Sequence, residues 1–163
     1  MKPFTLKKIT CMLILVAMYS CSNESVENDI SLDVNQNYNY NESEMDLLTK
    51  INSYRDSIGK TSYEIIDHIS FLALEHNEYM IASNNVGHDN FHYRVENIKE
   101  RFDLNAVTEN IAFNYSDPNK AFTAWLNSEL HRTNLENDYT HCGISITSNV
   151  SGQKYYTLII ARK

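Results

Sequence analysis

The chain is short of cysteine, of basic charge and of long apolar runs, and each shortage excludes something. Of its three cysteines, Cys11 falls in an apolar leader and Cys21 closely follows that leader. Cys142 is then alone, so no internal disulfide framework braces the rest of the chain. Cys142 stands before Gly143 in an apolar strand and reads as a buried structural thiol, not a nucleophile. Basic residues number 14 against 21 acidic ones; three of the basic ones lie in residues 1–21, which hold no acid, so the remainder carries 11 against 21, a net −10. That balance argues against nucleic acid and anionic headgroups as partners. The one continuous apolar run, ITCMLILVAMY at 9–19, is too short to span a bilayer comfortably.

What stands in place of a membrane span is an export signal. Lys2, Lys7 and Lys8 precede the apolar run, and Ser20 precedes Cys21. Residues 1–20 therefore read as a secretory signal, and the junction resembles a bacterial lipobox, with Cys21 as the lipidated residue. Ordinary cleavage and an uncleaved anchor are the alternatives, and all three place the chain outside the cytoplasm. Residues 21–42, rich in Asn, Ser and acids, read as a solvated tether. Residues 43–163 suit a single domain.

Periodicity sets out that domain. Ser43 is a candidate cap for a helix with Leu47, Ile51, Tyr54 and Ile58 on one stripe, ended by Gly59. A second helix is expected after Ser62, with Ile65, Ile69, Leu72, His76 and Met80 on one face; His76 reads as a core histidine bonded to nearby backbone. A third is expected from Asp89 or Asn90, with Phe91, Val95, Ile98 and Phe102 inward; His88 falls in the loop before it and His92 is expected to be solvated. In VTENIAFNY (107–115), Val107, Ile111 and Phe113 alternate as in a strand, but Glu109 interrupts their face; the alternative is a loop as far as Asn110. A carboxylate facing a core must be paired, hydrogen-bonded or lining a cleft. Asp117 and Pro118 open a further helix, and two alternating strands around a turn at 148–153 close the chain as a hairpin. The expectation is an α+β fold with helices layered on a sheet.

In AWLNSELHRTNL (124–135), Glu129 and His131 would stand about 160° apart on a continuous helix. They can serve one site only if the helix stops near Ser128. Ser128 is read as lacking an adjacent histidine on its helical face, so no serine is expected to have a credible base.

Taken in order, INSYRDSIG, ALEHNEYM, GHDNF, TENIAF, AFTAWLNSELHRTNL and the CGISI/KYYTLII hairpin resemble a bacterial-type CAP domain (cysteine-rich secretory protein, antigen 5, pathogenesis-related 1) over about residues 45–162. The resemblance implies an α–β–α sandwich with a central antiparallel sheet and a cleft of histidines and glutamates. It implies that His88 is the cleft histidine, that Glu109 is the glutamate of the Gly-Glu-Asn motif with Thr108 in place of glycine, and that His131, Arg132 and Asn134 match a His-Arg-x-Asn motif. Where the relatives commonly have Pro-Gly before that histidine, this chain has Glu129 and Leu130. Animal and plant relatives carry a second glutamate where Ser128 stands, leaving Glu129 one place away, and Tyr155 fills the position read as their second histidine.

On that resemblance His88, Glu109 and His131 are the expected cleft residues and a candidate ligand set for Zn²⁺ or another divalent cation, with Tyr155 and Glu129 as further cleft candidates. The expected function is a monomeric, lipid-anchored envelope domain binding an apolar small molecule, a peptide or a surface protein. The alternatives are a metal-assisted hydrolase at the same residues, or a purely structural hydrogen-bond network.

Overall fold

A capping box opens the first helix: the Asn41 side chain accepts from the Glu44 amide, and the Glu44 carboxylate accepts from the Asn41 amide. The cap therefore lies two residues ahead of Ser43. The computed structural model describes residues 37–163, so the leader, Cys21 and most of the tether lie outside the described residues. Helix α1 (Glu42–Ser57) buries Leu47, Leu48 and Ile51. Strand β1 (Glu64–Ile65) follows, where the apolar spacing suggested the second helix would already have begun. The chain is held extended there because Glu64 N–H donates to Thr140 O and Ile66 N–H to Cys142 O. Helix α2 then runs Asp67–Ser83 and α3 runs Phe91–Phe102. Strand β2 spans Ala106–Phe113, so the segment around Glu109 is a strand and not a loop. Helix α4 (Pro118–Asn127) starts on its Asp117 cap, and α5 (Glu129–Glu136) follows after a single extended residue, Ser128. The hairpin of β3 (His141–Ser148) and β4 (Lys154–Arg162) completes the domain.

The four strands lie in the order β1-β3-β4-β2, antiparallel except for the two-residue parallel pairing of β1 on β3. Because side chains alternate across a strand, β4 feeds two cores. Tyr156, Leu158 and Ile160 pack with α1, α4 and α5, where Trp125 and Leu135 are buried. Ile159 and Ala161 pack on the opposite face with Ile69, Leu72 and Ile98 of α2 and α3. This is the α–β–α layering expected. Cys142 is fully buried, and burial pushes its thiol up to about 12.

Two details show how tightly the layers fit. At Gly143 an added Cβ would stand 2.3 Å from the Ile69 carbonyl carbon and 2.3 Å from the Ser70 amide nitrogen, so only glycine lets α2 lie this close to β3. The residues just ahead of α1 form a clasp. The Tyr38 hydroxyl sits 3.0 Å from both Glu44 Oε1 and Ser145 Oγ, and the Tyr40 hydroxyl lies 2.8 Å from Asp67 Oδ1 and from Ser70 Oγ. Glu44 also accepts the Ile146 amide at 2.8 Å, occupying the edge of β3 beyond the end of β1.

Candidate functional site

Glu109 points from β2 toward α2 and α3, with Ile159 of β4 as its cross-strand neighbour. It is 5 % exposed, so its charge must be answered locally. Arg94 answers it with a two-pronged contact, Nε to Oε2 at 2.7 Å and Nη2 to Oε1 at 2.8 Å. His88 Nδ1 donates to Oε1 at 2.8 Å, and buried His76 Nδ1 lies 3.5 Å from Oε2. Burial pushes the Glu109 carboxyl up, but the bonds from His88 and Arg94 outweigh it and hold the group below its ordinary range. Since an ionised carboxylate only accepts, His88 donates to it from Nδ1.

Around this centre the network closes. Arg94 Nη1 donates to Asp89 O at 2.8 Å and His76 Nε2 donates to Gly87 O at 3.0 Å, so both pin the loop that carries His88. His76 Nδ1 lies 3.1 Å from Thr157 Oγ1, whose hydroxyl donates to Asn77 Oδ1 at 2.7 Å. His76 is thus the backbone-bonded core histidine expected, and burial lowers its pKa. Arg94, by contrast, is not visible in the apolar stripe drawn for α3. It replaces Phe91 and Val95 as the buried residue one turn before Ile98, and those two are only partly covered. His92 is solvated as expected.

The second half of the site comes from the other face of the sheet. The backbone at Ser128 is extended (φ −99°, ψ 118°), which ends α4 and lets α5 start in a new direction. His131 thereby turns back, and its Nδ1 lies 2.8 Å from Ser128 Oγ. The expectation that Ser128 lacks an adjacent histidine is corrected by this contact, which joins residues only three apart in the chain. Burial, and then the charge of neighbouring His88, lower the His131 pKa, so the ring is neutral near pH 7. The corner is tied to β2 by Asn110, whose Nδ2 donates to His131 O at 3.0 Å and whose Oδ1 accepts from Asn134 Nδ2 at 2.8 Å.

Beside His131 runs a groove of about 340 Å³ along the outer edge of β2, with Val86, Ile111, Phe113, Tyr115 and Trp125 on its walls and Ser128 and His131 as polar members. Trp125 is itself fixed by a bond from Nε1 to Ile111 O at 2.8 Å. Two expected cleft residues are not brought in. Glu129 is exposed in the first turn of α5, and its carboxylate has no hydrogen-bonding partner among the described residues. Tyr155 is buried against Phe113, with ring centroids 4.7 Å apart.

His88, Glu109 and His131 do not fit a three-ligand metal centre as placed. Both Glu109 oxygens are taken by Arg94, leaving one nitrogen on each imidazole as donors. Among the described residues no group of three or more His, Cys, Asp or Glu could hold a metal ion.

Comparison with known proteins matches the same span. The profile of the cysteine-rich secretory protein family, CAP, covers residues 48–160. An uncharacterised membrane protein of Bacillus subtilis, YlbC, is 36 % identical over 121 residues, which is 71 % of this chain but 33 % of the relative, so the chain spans about a third of that protein's length. Among solved structures, an extracellular protein containing an SCP domain from Bacillus anthracis aligns over 74 % of this chain and 40 % of its own, with 27 % identity and a TM-score of 0.66. An outer surface protein from Borrelia burgdorferi aligns over 73 % of this chain and 91 % of its own, with 20 % identity and a TM-score of 0.66, a likeness of fold.

Proposed function

The chain belongs to the cysteine-rich secretory protein (CAP) family, and from that premise we propose that it is an extracytoplasmic binding domain whose ligand lies in the groove along β2. The observation that carries this reading is the groove's lining. Apolar and aromatic walls with a few fixed polar groups are what recognition of an apolar molecule or chain segment requires, and Ser128 and His131 supply the polar end. The Glu109 network is the brace that keeps the His88 loop standing over this groove. A metal-assisted hydrolase draws less support, because Arg94 occupies the carboxylate that would have served as ligand or base.

Trp125 is the chain's only tryptophan and lines the groove, so it is a built-in reporter. Titration of the full chain with dodecanoate should change its emission saturably. Ala124→Phe, which fills the groove, should abolish the change while leaving the thermal midpoint in place. A flat titration in the unaltered chain would refute the groove as an apolar site. The tether belongs to the same reading: Cys21, once diacylated, would hold the domain at a membrane. Cys21→Ser should release the chain from the membrane fraction.

A further inference from the structure

We propose that Ser128 and His131 form an acyl-accepting pair, which hydrolyses esters whose acyl chain lies in the β2-edge groove. The inference rests on the groove reading above and adds a reaction to it. Three observations converge. First, Ser128 precedes α5 as its cap residue, yet its hydroxyl bonds no backbone amide of that helix; it is 2.8 Å from His131 Nδ1 instead. A serine acting only as a cap would satisfy one of those amides. Second, the amides of Glu129, Leu130 and His131 have no acceptor among the described residues, and they stand at the positive end of α5 beside Ser128. Third, both side chains line the same groove as Ile111 and Trp125, so the hydroxyl and the imidazole face the space in which an acyl chain would lie.

The chemistry follows from these positions. Ser128 Oγ attacks the ester carbonyl carbon and its proton passes to His131 Nδ1. The negative oxygen that develops is met by the free first-turn amides. The C–O bond to the alcohol breaks and the alcohol leaves with the proton from His131. Water then attacks the acyl-serine, His131 taking its proton and returning one to Ser128 Oγ, so that ester and water yield acid and alcohol. The geometry is held by Asn110, which bonds the His131 carbonyl from the core side.

The test uses the purified full chain and two probes, an alkyl fluorophosphonate and p-nitrophenyl butyrate. The expected result is one phosphonate adduct per chain, mapped by mass spectrometry to Ser128, and slow butyrate release with a burst of nitrophenol. Ser128→Ala should remove both, and His131→Gln should slow labelling by about 100-fold, the low end of a general base's contribution. Circular dichroism melts of both variants show that they are folded. No adduct on Ser128, or equal labelling in His131→Gln, overturns the proposal. Dodecanoate still binding to a chain that takes no adduct would overturn the reaction and leave the groove reading intact.

Discussion

Asn134 donates from Nδ2 to Asn110 Oδ1 at 2.8 Å, while Asn110 Nδ2 reaches His131 O at 3.0 Å. One fully buried amide therefore joins the TEN segment of β2 to the HRTN segment of α5. Removing either amide strands a buried polar partner, which costs about 1–3 kcal/mol. Asn110→Ala and Asn134→Ala should each lower the unfolding free energy measured in urea by that order. The double variant should lose less than the sum of the two, because both remove the same bond.

Arg94 and Glu109 form a buried ion pair, and breaking one side leaves the other charge uncompensated. Arg94→Met should cost about 3–5 kcal/mol in urea unfolding. The paired change Arg94→Met with Glu109→Leu should recover most of the loss, since neither charge then remains. A double variant as unstable as the single would show that the network does more than neutralise charge.

Acid should erode stability in two stages. His68, His76 and His131 all have lowered folded pKa values, burial being the first cause in each case. Their contribution is complete above the ordinary value of 6.5 and falls as pH drops below it, because the unfolded chain takes up protons first. Glu109 is also depressed, so its share is present above 4.5 and is lost as pH falls through its lower folded value. Urea midpoints at pH 8, 6.5, 5.5 and 4 should fall monotonically with acid, and His76→Gln should flatten the first stage. A rise in stability between pH 6.5 and 5.5 would contradict this assignment.

Gly143→Ala forces either α2 or β3 to move, because the new methyl would overlap the Ile69 and Ser70 backbone. Overpacking against backbone costs about 1–3 kcal/mol or more. A melt of the variant should show that drop, with no change in the groove's dodecanoate response if the shift stays on the far side of β4.

The layered fold was legible because the segments kept their order and most of their apolar periods: Leu47 and Ile51 of α1, Ile69, Leu72, His76 and Met80 of α2, the Asp117–Pro118 start of α4 and the closing hairpin stand as read, whereas Ile58 is exposed beyond the end of α1 with Arg55 buried in its place, and Ile65 lies in β1. Glu109 was legible as a problem, an acid on an apolar face, without its solution being so. Arg94 lies fifteen residues upstream on a helix whose stripe could be completed by Phe91 and Val95, and no local pattern says that an arginine will be drawn inward to meet a carboxylate on another element. Likewise no turn-forming residue announces the break at Ser128. The break is set by tertiary ties, Asn110 to His131 O and Asn134 to Asn110, which propensity along the chain does not record.

The tyrosine clasp ahead of α1 has a mechanical consequence. The chain enters the domain through Tyr38 and Tyr40, whose hydroxyls are fastened to α2 through Asp67 and Ser70 and to β3 through Ser145. A pull applied from the preceding residues would load these bonds before it reached the helical hydrogen bonds of α1. With several fastened groups sharing the load, the clasp would act as strain relief at the point where the chain enters the folded body, and its release would uncover the β3 edge that Glu44 now occupies.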